Sequence, residues 1–349
     1  MKDITVQPGI SIRQAMKKLS QTGEKCLVIT DQDNKLLGTL SDGDVRKAIL
    51  GGVGFGDSID SIYQQDPTVL VEGNYSLGDA KKLFIKHKFD LIPVVDEKGV
   101  LADVLSLESV LENGVKNQGA RLDVPVVIMA GGRGTRMEPF TKILPKPLVP
   151  VHEKPIIEHI IERFLDFGCH EFHLTVNYKS HILKAYFEEL QPDYGIYFVE
   201  EQEPLGTAGG LCFLDGLFSR PFFITNCDII IKADYASLYE FHQKGDYDVT
   251  LVASAKEYVI PYGTCELNSD GHLSKINEKP KYDFLINTGL YVLNPDVLSF
   301  IPKNKFYHIT HLIEDLKNRG QKIGVFPVDE DDWIDVGQWT EYQKAIDKF

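Results

Sequence analysis

The 349-residue chain has no C-x-x-C pair, and its five cysteines (Cys26, Cys169, Cys212, Cys227 and Cys265) are scattered. An odd, dispersed set argues against a disulfide framework and a structural zinc site. No apolar run approaches the ~18 residues that a membrane helix needs. Residues 1–10 hold no apolar segment of the signal-peptide kind. The expected setting is therefore a reducing cytoplasm, without a membrane partner. There is no positive excess either. A net charge of −14 excludes a general phosphate-backbone binder, so no nucleic-acid partner is expected. The Gly-Lys-Ser/Thr of a Walker A loop is missing, and no hexapeptide repeat occurs, which excludes a fused β-helix. What is present is a globular composition, 43% hydrophobic and 25% charged, in a chain long enough for two or three domains.

The first third repeats itself. Ser11, Ala15 and Asp31 recur as Ser76, Ala80 and Asp96. Each copy reads helix, strand, turn, strand, helix: Ile12–Leu19, Cys26–Thr30 and Leu36–Leu40, then Leu77–Phe84, Leu91–Val95 and Val100–Val104. Two copies are too few for a solenoid, but packed face to face they can bury one core. Gly51, Gly52, Gly54 and Gly56 follow a helix, so they read as a helix stop and not as a nucleotide loop. The polar stretch 112–118 marks a boundary between domains 1–118 and 119–349.

Copy one closes with Ser41, Asp42, Gly43 and Asp44. Here the repeat resembles the cystathionine-β-synthase (CBS) pair, or Bateman module, an α+β domain. The resemblance implies a regulatory nucleotide at Ser41 and Asp44, with the hydroxyl and helix N-terminus holding a phosphate and the aspartate holding ribose. It also implies a homodimer. Copy two has Leu105 and Glu108 at the aligned positions, which puts its own site in doubt. The plainer reading is that Ser41 and Asp44 only cap the helix that begins near Val45.

From Val124 the pattern changes to alternating strands and helices. Val126–Ala130 is a continuous apolar run suited to a strand buried on both faces. Pro155 opens a helix whose Ile156, Ile157, Ile160, Ile161, Phe164 and Leu165 share one face, and Gly168 stops it. Glu171–Val176 and Pro221–Thr225 are further strands. A helix over 308–319, a strand over 322–327 and a short helix over 341–348 close the chain. The alternation predicts a three-layer α/β domain with a mostly parallel sheet, whose ligands sit at the carboxyl ends of strands.

The chemistry concentrates in Ala130-Gly131-Gly132-Arg133-Gly134-Thr135-Arg136, followed by Pro145-Lys146-Pro147. A triphosphate needs backbone N–H groups at close approach, which glycine allows, and cations at fixed places. Arg133, Arg136 and Lys146 supply the cations, and an arginine fork can hold two oxygens. His308 and His311, three apart, lack a third ligand and read as structural.

These segments, in this order, resemble the sugar-1-phosphate nucleotidyltransferase family, over roughly 124–349. The resemblance implies a Rossmann-like, GT-A-like domain in which Ala130 to Thr135 wrap the nucleotide phosphates. Arg136, Lys146 and Asp228 serve catalysis, and Asp228 and Asp335 hold Mg2+, an ion that prefers hard carboxylate oxygens beside phosphates; the plainer use of either aspartate is a helix cap. Glu201, Pro204, Gly206 and Thr207 form the base-reading loop. Tyr262, Gly263, Glu278, Lys279, Asn287 and Thr288 contact the sugar phosphate. Cys227 replaces the glycine common before the first metal aspartate.

The family often places Gln where Glu201 stands. A carboxylate only accepts, which matches the adjacent N1–H and N2–H2 donors of guanine and clashes with O4 of uracil. GTP is the expected nucleotide if Glu201 faces the base; Glu200 or backbone reads it otherwise. A CBS pair ahead of such a domain resembles guanylyltransferases of bacterial legionaminic acid pathways, which implies glucosamine 1-phosphate; mannose 1-phosphate is the plainer family expectation. Two other readings stay open: a nucleotide sensor that only binds, and a cytidylyltransferase acting on another small phosphate.

Overall fold

The protein is described by a computed structural model covering residues 4–87, 89–106 and 121–346. Its contacts group the chain into two compact units. One holds residues 1–118 together with 255–285; the other holds 119–254 and 286–349.

In the first unit the repeat is visible bond by bond. Strand Cys26–Thr30 pairs antiparallel with Leu36–Ser41, and Leu91–Val95 pairs in the same way with Leu101–Ser106. Each hairpin carries one irregularity at the same place, between Ile29 and Thr30 and between Val94 and Val95. Each turn is built on an aspartate. Asp31 accepts from the N–H groups of Asp33 and Lys35, each at 2.9 Å. Asp96 accepts from those of Lys98 and Val100, each at 2.8 Å. Such side-chain bonds replace backbone bonds that a tight turn cannot make. The two turns also meet reciprocally. Leu36 N donates to Gly99 O at 3.0 Å, and Leu101 N donates to Asn34 O at 2.9 Å.

This register corrects the alignment of the copies. Ser41 stands opposite Cys26, and Ser106 stands opposite Leu91. Ser106, not Leu105, is the counterpart of Ser41; Leu105 is buried in the second repeat's apolar cluster. Glu108 and the boundary stretch 112–118 lie outside the described residues.

The first helix, Ile12–Thr22, is capped at both ends: Ser11 and Gln14 form a capping box, and Gly23 takes the left-handed conformation. The glycines after the second helix, Asp42–Leu50, do act as a stop. Val53 N returns to Ala48 O, and Gly54 N donates to the Asp57 carboxylate.

The second unit is organised by a seven-stranded sheet. Strand Val126–Met129 sits inside it, parallel to Glu171–Val176 on one side and to Phe222–Asn226 on the other. Gly195–Glu200 extends the parallel part, and the long strand Lys281–Leu293 pairs antiparallel with Phe222–Asn226. Alternate residues feed opposite faces, as the strand period requires. Val126, Ile128, Phe223, Leu290 and Val292 join one apolar cluster; Val127, Phe222, Ile224, Tyr291 and Leu293 join the other. Helices Ile156–Leu165, Ser180–Leu190 and Tyr235–Gly245 cover the first face. Short 3-10 turns and the helix Ile309–Asn318 cover the second. The expected three layers and the mostly parallel sheet are therefore present. The closing elements shift by a residue or two, to Ile323–Asp329 and Trp339–Ile346. No helix among the described residues is long and apolar enough to cross a membrane.

Phe164 anchors the first layer, with its ring 5.4 Å from Phe223 and 4.6 Å from Tyr235. Truncation there leaves a cavity that neighbouring rings cannot fill. Phe164→Ala is expected to lower the stability of this unit by about 3–5 kcal/mol, read as a drop in its denaturant midpoint.

Candidate active site

The site follows from where four strands of the parallel sheet end. Beyond Val126–Met129 the chain enters the glycine turn, and Gly134 adopts φ +65° before the single turn Thr135–Met137. A side chain at Gly134 would meet Thr141 at 2.9 Å and Lys146 at 3.1 Å, so the turn is tight because both sides of it are occupied. Met137 is fully buried and pins the turn to the core. Beyond Phe222–Asn226 come Cys227 and Asp228. Beyond Glu171–Val176 and Gly195–Glu200 come Asn177 and Glu201.

Together these ends line a cleft of about 370 Å³. Its walls include Gly131, Gly132, Gly134, Thr135, Arg136, Lys146, Glu201, Pro204, Gly206, Thr207 and Asp228. A smaller cleft of about 240 Å³ is lined by Asn287, Thr288, Gly289, Trp333 and Asp335, and it shares Arg136, Asn226 and Asp228 with the first. Two clefts thus meet at an arginine and an aspartate.

Charge is concentrated at that junction. Lys146 donates to the Asp228 carboxylate, and only about a tenth of either side chain is exposed (12% and 11%). Gly337 is where the cluster closes. A Cβ there would lie 2.2 Å from Asp228 Oδ2, 2.9 Å from Asp335 Oδ1 and 3.1 Å from Lys146 Nζ. Both carboxylates and the ammonium therefore crowd around one backbone position, where a side chain would have to displace them. Gly337 N also donates to Asp335 Oδ1 at 2.7 Å. Burial pushes the Asp335 carboxyl above the usual carboxylate range, and the charge of Asp228 adds to this. The Gly337 bond and the charges of Lys146 and Arg136 oppose it. Neither aspartate caps a helix.

The residues present fit a hard divalent cation. Two carboxylates converge in a partly buried place, one of them holding its proton more tightly because of burial and, to a lesser degree, because the other is near. A cation that relieves this repulsion and takes its remaining oxygens from phosphate suits such a pair. Among the described residues no cluster of three acidic, histidine or cysteine ligands exists that would hold a metal unaided.

Glu201 faces inward. It is 8% exposed, and its Oε2 accepts from Leu205 N at 3.1 Å. Its carboxylate lies against Gly131 and Gly210. Burial raises its pKa and the Leu205 bond lowers it. Glu200 points away and pairs with Lys184, so the alternative in which Glu200 replaces it is not favoured. The loop 201–210 is braced by residues that no motif singled out. Tyr307 N donates to Leu205 O at 2.8 Å, and Tyr307 O accepts from Ala208 N at 2.9 Å and Gly209 N at 3.1 Å. Thr207 Oγ1 accepts from Ile309 N at 3.0 Å. His311 Nδ1 accepts from His308 N at the start of the helix, a capping use of the ring.

Several expected site residues stand elsewhere. Arg133 is exposed and lines neither cleft, so the cations at the junction are Arg136 and Lys146. Ala130 is buried beneath the turn and bonds Thr175 through its backbone. Thr288 lines the smaller cleft, but its hydroxyl is spent on Val252 O at 2.9 Å. Tyr262, Gly263, Glu278 and Lys279 belong to the segment 255–285 of the first unit. There Glu278 lies beside Gly263, and Lys279 takes φ +45°. In the same unit Ser41 and Asp44 satisfy each other. Ser41 Oγ donates to Asp44 Oδ2 at 2.6 Å and accepts from Asp44 N at 3.1 Å. That is the capping reading.

The profile of the nucleotidyl transferase family matches residues 125–349. The chain belongs to that family. The CBS domain profile matches residues 1–51 and 60–116. A mannose-1-phosphate guanyltransferase of Candida glabrata is 35% identical over 226 residues, covering 62% of each chain. One from Yarrowia lipolytica is 35% identical over 225 residues, 62% of this chain and 61% of its own. The chain thus spans somewhat less than two thirds of these relatives. Among solved structures, HddC from Yersinia pseudotuberculosis complexed with GMP-PN is similar with a TM-score of 0.50 and 27% identity, over 65% of this chain and 99% of that one.

Because Asp335 resists ionisation in the folded state, it costs stability at neutral pH. That penalty disappears as pH falls through its raised pKa. Asp335→Asn keeps the acceptor for Gly337 N and removes the charge. It is expected to raise stability at pH 7, narrow the difference in stability between pH 5 and pH 7, and abolish divalent-cation binding. Unfolding curves at the two pH values, with and without Mg2+, measure all three.

Proposed function

We propose that the chain is a sugar-1-phosphate guanylyltransferase, forming a nucleotide sugar and pyrophosphate from GTP and a sugar 1-phosphate. The observation that carries this is the meeting of two clefts at Arg136 and Asp228. The reaction needs one anion to attack another in line, and positioning plus neutralisation of charge supplies most of the catalysis.

In the larger cleft the amides of Gly131 to Thr135 receive the phosphates of the nucleotide. Arg136, common to both clefts, sits where the attacked phosphorus and the incoming phosphate must meet. Lys146, held by Asp228, supplies a second positive charge at the same place. No general base is needed, because a sugar phosphate is already ionised. Asp228 and Asp335 are the residues that would hold Mg2+, which when bound supplies neutralisation of the developing phosphate charge. Asn287 and the wall formed by Gly289 and Trp333 belong to the sugar-phosphate side. The indole N–H of Trp333 is buried without an acceptor among the described residues, a donor suited to a hydroxyl-rich substrate.

The inward carboxylate of Glu201 supports guanine, since each of its oxygens has lone pairs beyond the one given to Leu205. The guanyltransferase names of the relatives support the same base. They favour mannose 1-phosphate over the glucosamine 1-phosphate that the legionaminic-pathway resemblance implies, and mannose 1-phosphate is the substrate proposed. The bond between Ser41 and Asp44 opposes a regulatory nucleotide at that place.

Pyrophosphate release measured with four ribonucleoside triphosphates against mannose, glucosamine and glucose 1-phosphates tests the reading. GTP with mannose 1-phosphate is expected to give the highest kcat/KM. A preference for UTP or CTP defeats the guanine assignment. Glu201→Gln is expected to narrow the preference for GTP over UTP by roughly tenfold, the equivalent of one buried unpaired group.

A further inference from the structure

A large apolar side chain left in water at the wall of a functional cleft calls for a partner. Phe306 is such a residue. It is 62% exposed, and it lines the same cleft as Glu201, Pro204, Gly206 and Thr207. Backbone contacts put it there. Residues 305–307 run against the loop 205–209, where Tyr307 N donates to Leu205 O at 2.8 Å and Tyr307 O accepts from Ala208 N and Gly209 N. A Cβ at Gly206, whose φ is +83°, would lie 2.7 Å from Tyr307 O, and one at Gly209 would lie 2.6 Å from Lys305 O. The two glycines thus allow the segments to approach closely.

This contact sends neighbouring side chains to different places. The Tyr307 hydroxyl donates to Asp315 of the helix Ile309–Asn318, whereas Phe306 goes to the cleft. The Phe306 ring meets that of His308 edge to face, with centres 4.8 Å apart. His308 precedes the same helix, whose first amide, Ile309 N, donates to Thr207 Oγ1. Phe306 is therefore anchored through its backbone and steadied on one side, while more than half of its surface stays open.

The chemistry of the cleft says what covers that surface. The Glu201 carboxylate accepts hydrogen bonds, and these reach a base only through its edge. A base also presents two flat faces, and an aromatic ring is a general partner for them. Among the described residues that line this cleft, Phe306 alone is aromatic. We propose that Phe306 is a nucleotide-binding residue whose ring stacks on the base, so that Glu201 selects the base by its edge and Phe306 holds it by its face. The identity of the base rests on the guanylyltransferase reading; the division of affinity from selectivity goes beyond it.

A ring this exposed can be cut back without opening a cavity, so Phe306→Ala is expected to fold as the wild type does. In the full chain its KM for GTP is expected to rise at least about fivefold, the lower end of what alanine substitution costs a base–aromatic stack. Its kcat and its KM for mannose 1-phosphate stay unchanged, the pattern of lost uniform binding, and Phe306→Tyr keeps the wild-type KM for GTP. An unchanged KM for GTP in Phe306→Ala overturns the stack and leaves the guanylyltransferase reading standing. Fluorescence gives an answer without turnover. In Phe306→Trp the added indole, measured against the emission of Trp333 and Trp339 in the wild type, is expected to be quenched by GTP with Mg2+ and not by inorganic tripolyphosphate, which has no base. Equal quenching by these two, or none by either GTP or UTP, overturns the stack. Stronger quenching by UTP than by GTP defeats the guanine assignment and keeps Phe306 as the platform for the base.

Discussion

Crowding of like and unlike charges around Gly337 is the constraint on which the site depends. Asp228, Asp335 and Lys146 approach one backbone position so closely that a side chain there would have to displace them. Two carboxylates held together in a partly buried place repel each other, and one ammonium compensates only one of them. The proposed function accounts for this feature: phosphate oxygens and a divalent cation would offset a repulsion that costs the protein stability.

The fold supplies this cluster from separate sources. Asp228 follows the end of an inner parallel strand, Lys146 follows the glycine turn, and Asp335 ends a short strand paired with Ile229–Ile231. Register carries the precision: Ile229 lies opposite Asp335, so the strand that begins next to Asp228 directly presents the second carboxylate. The two-faced burial of the central strands, with alternate residues in two apolar clusters, gives these ends a rigid base.

Much of this could be read from the residues. The apolar run at Val126, the glycine turn, both aspartates and the paired repeats were recognisable because each follows from local periodicity or from a dense motif. Other features were not. Gly337 stood in a recognised segment, but its role depends on atoms more than a hundred residues away. The bracing of the loop 201–210 by Tyr307 runs through backbone bonds, which leave no mark on residue type. Ser106, not Leu105, matches Ser41: the two serines are 65 positions apart, like the other repeated residues, and Ser106 pairs with Leu91 as Ser41 pairs with Cys26. Arg133, a cation beside glycines, looked like a phosphate ligand, yet its side chain lines neither cleft. Composition cannot distinguish it from Arg136, whereas direction can.

Label transfer tests the central claim most directly. The full protein is incubated with Mg2+, mannose 1-phosphate and GTP labelled either at the α- or at the γ-phosphate. The account predicts that the α-label enters a nucleotide sugar and the γ-label leaves as pyrophosphate, in equal amounts. Release of the γ-label as inorganic phosphate, or an α-label that remains in unreacted nucleotide, would contradict it.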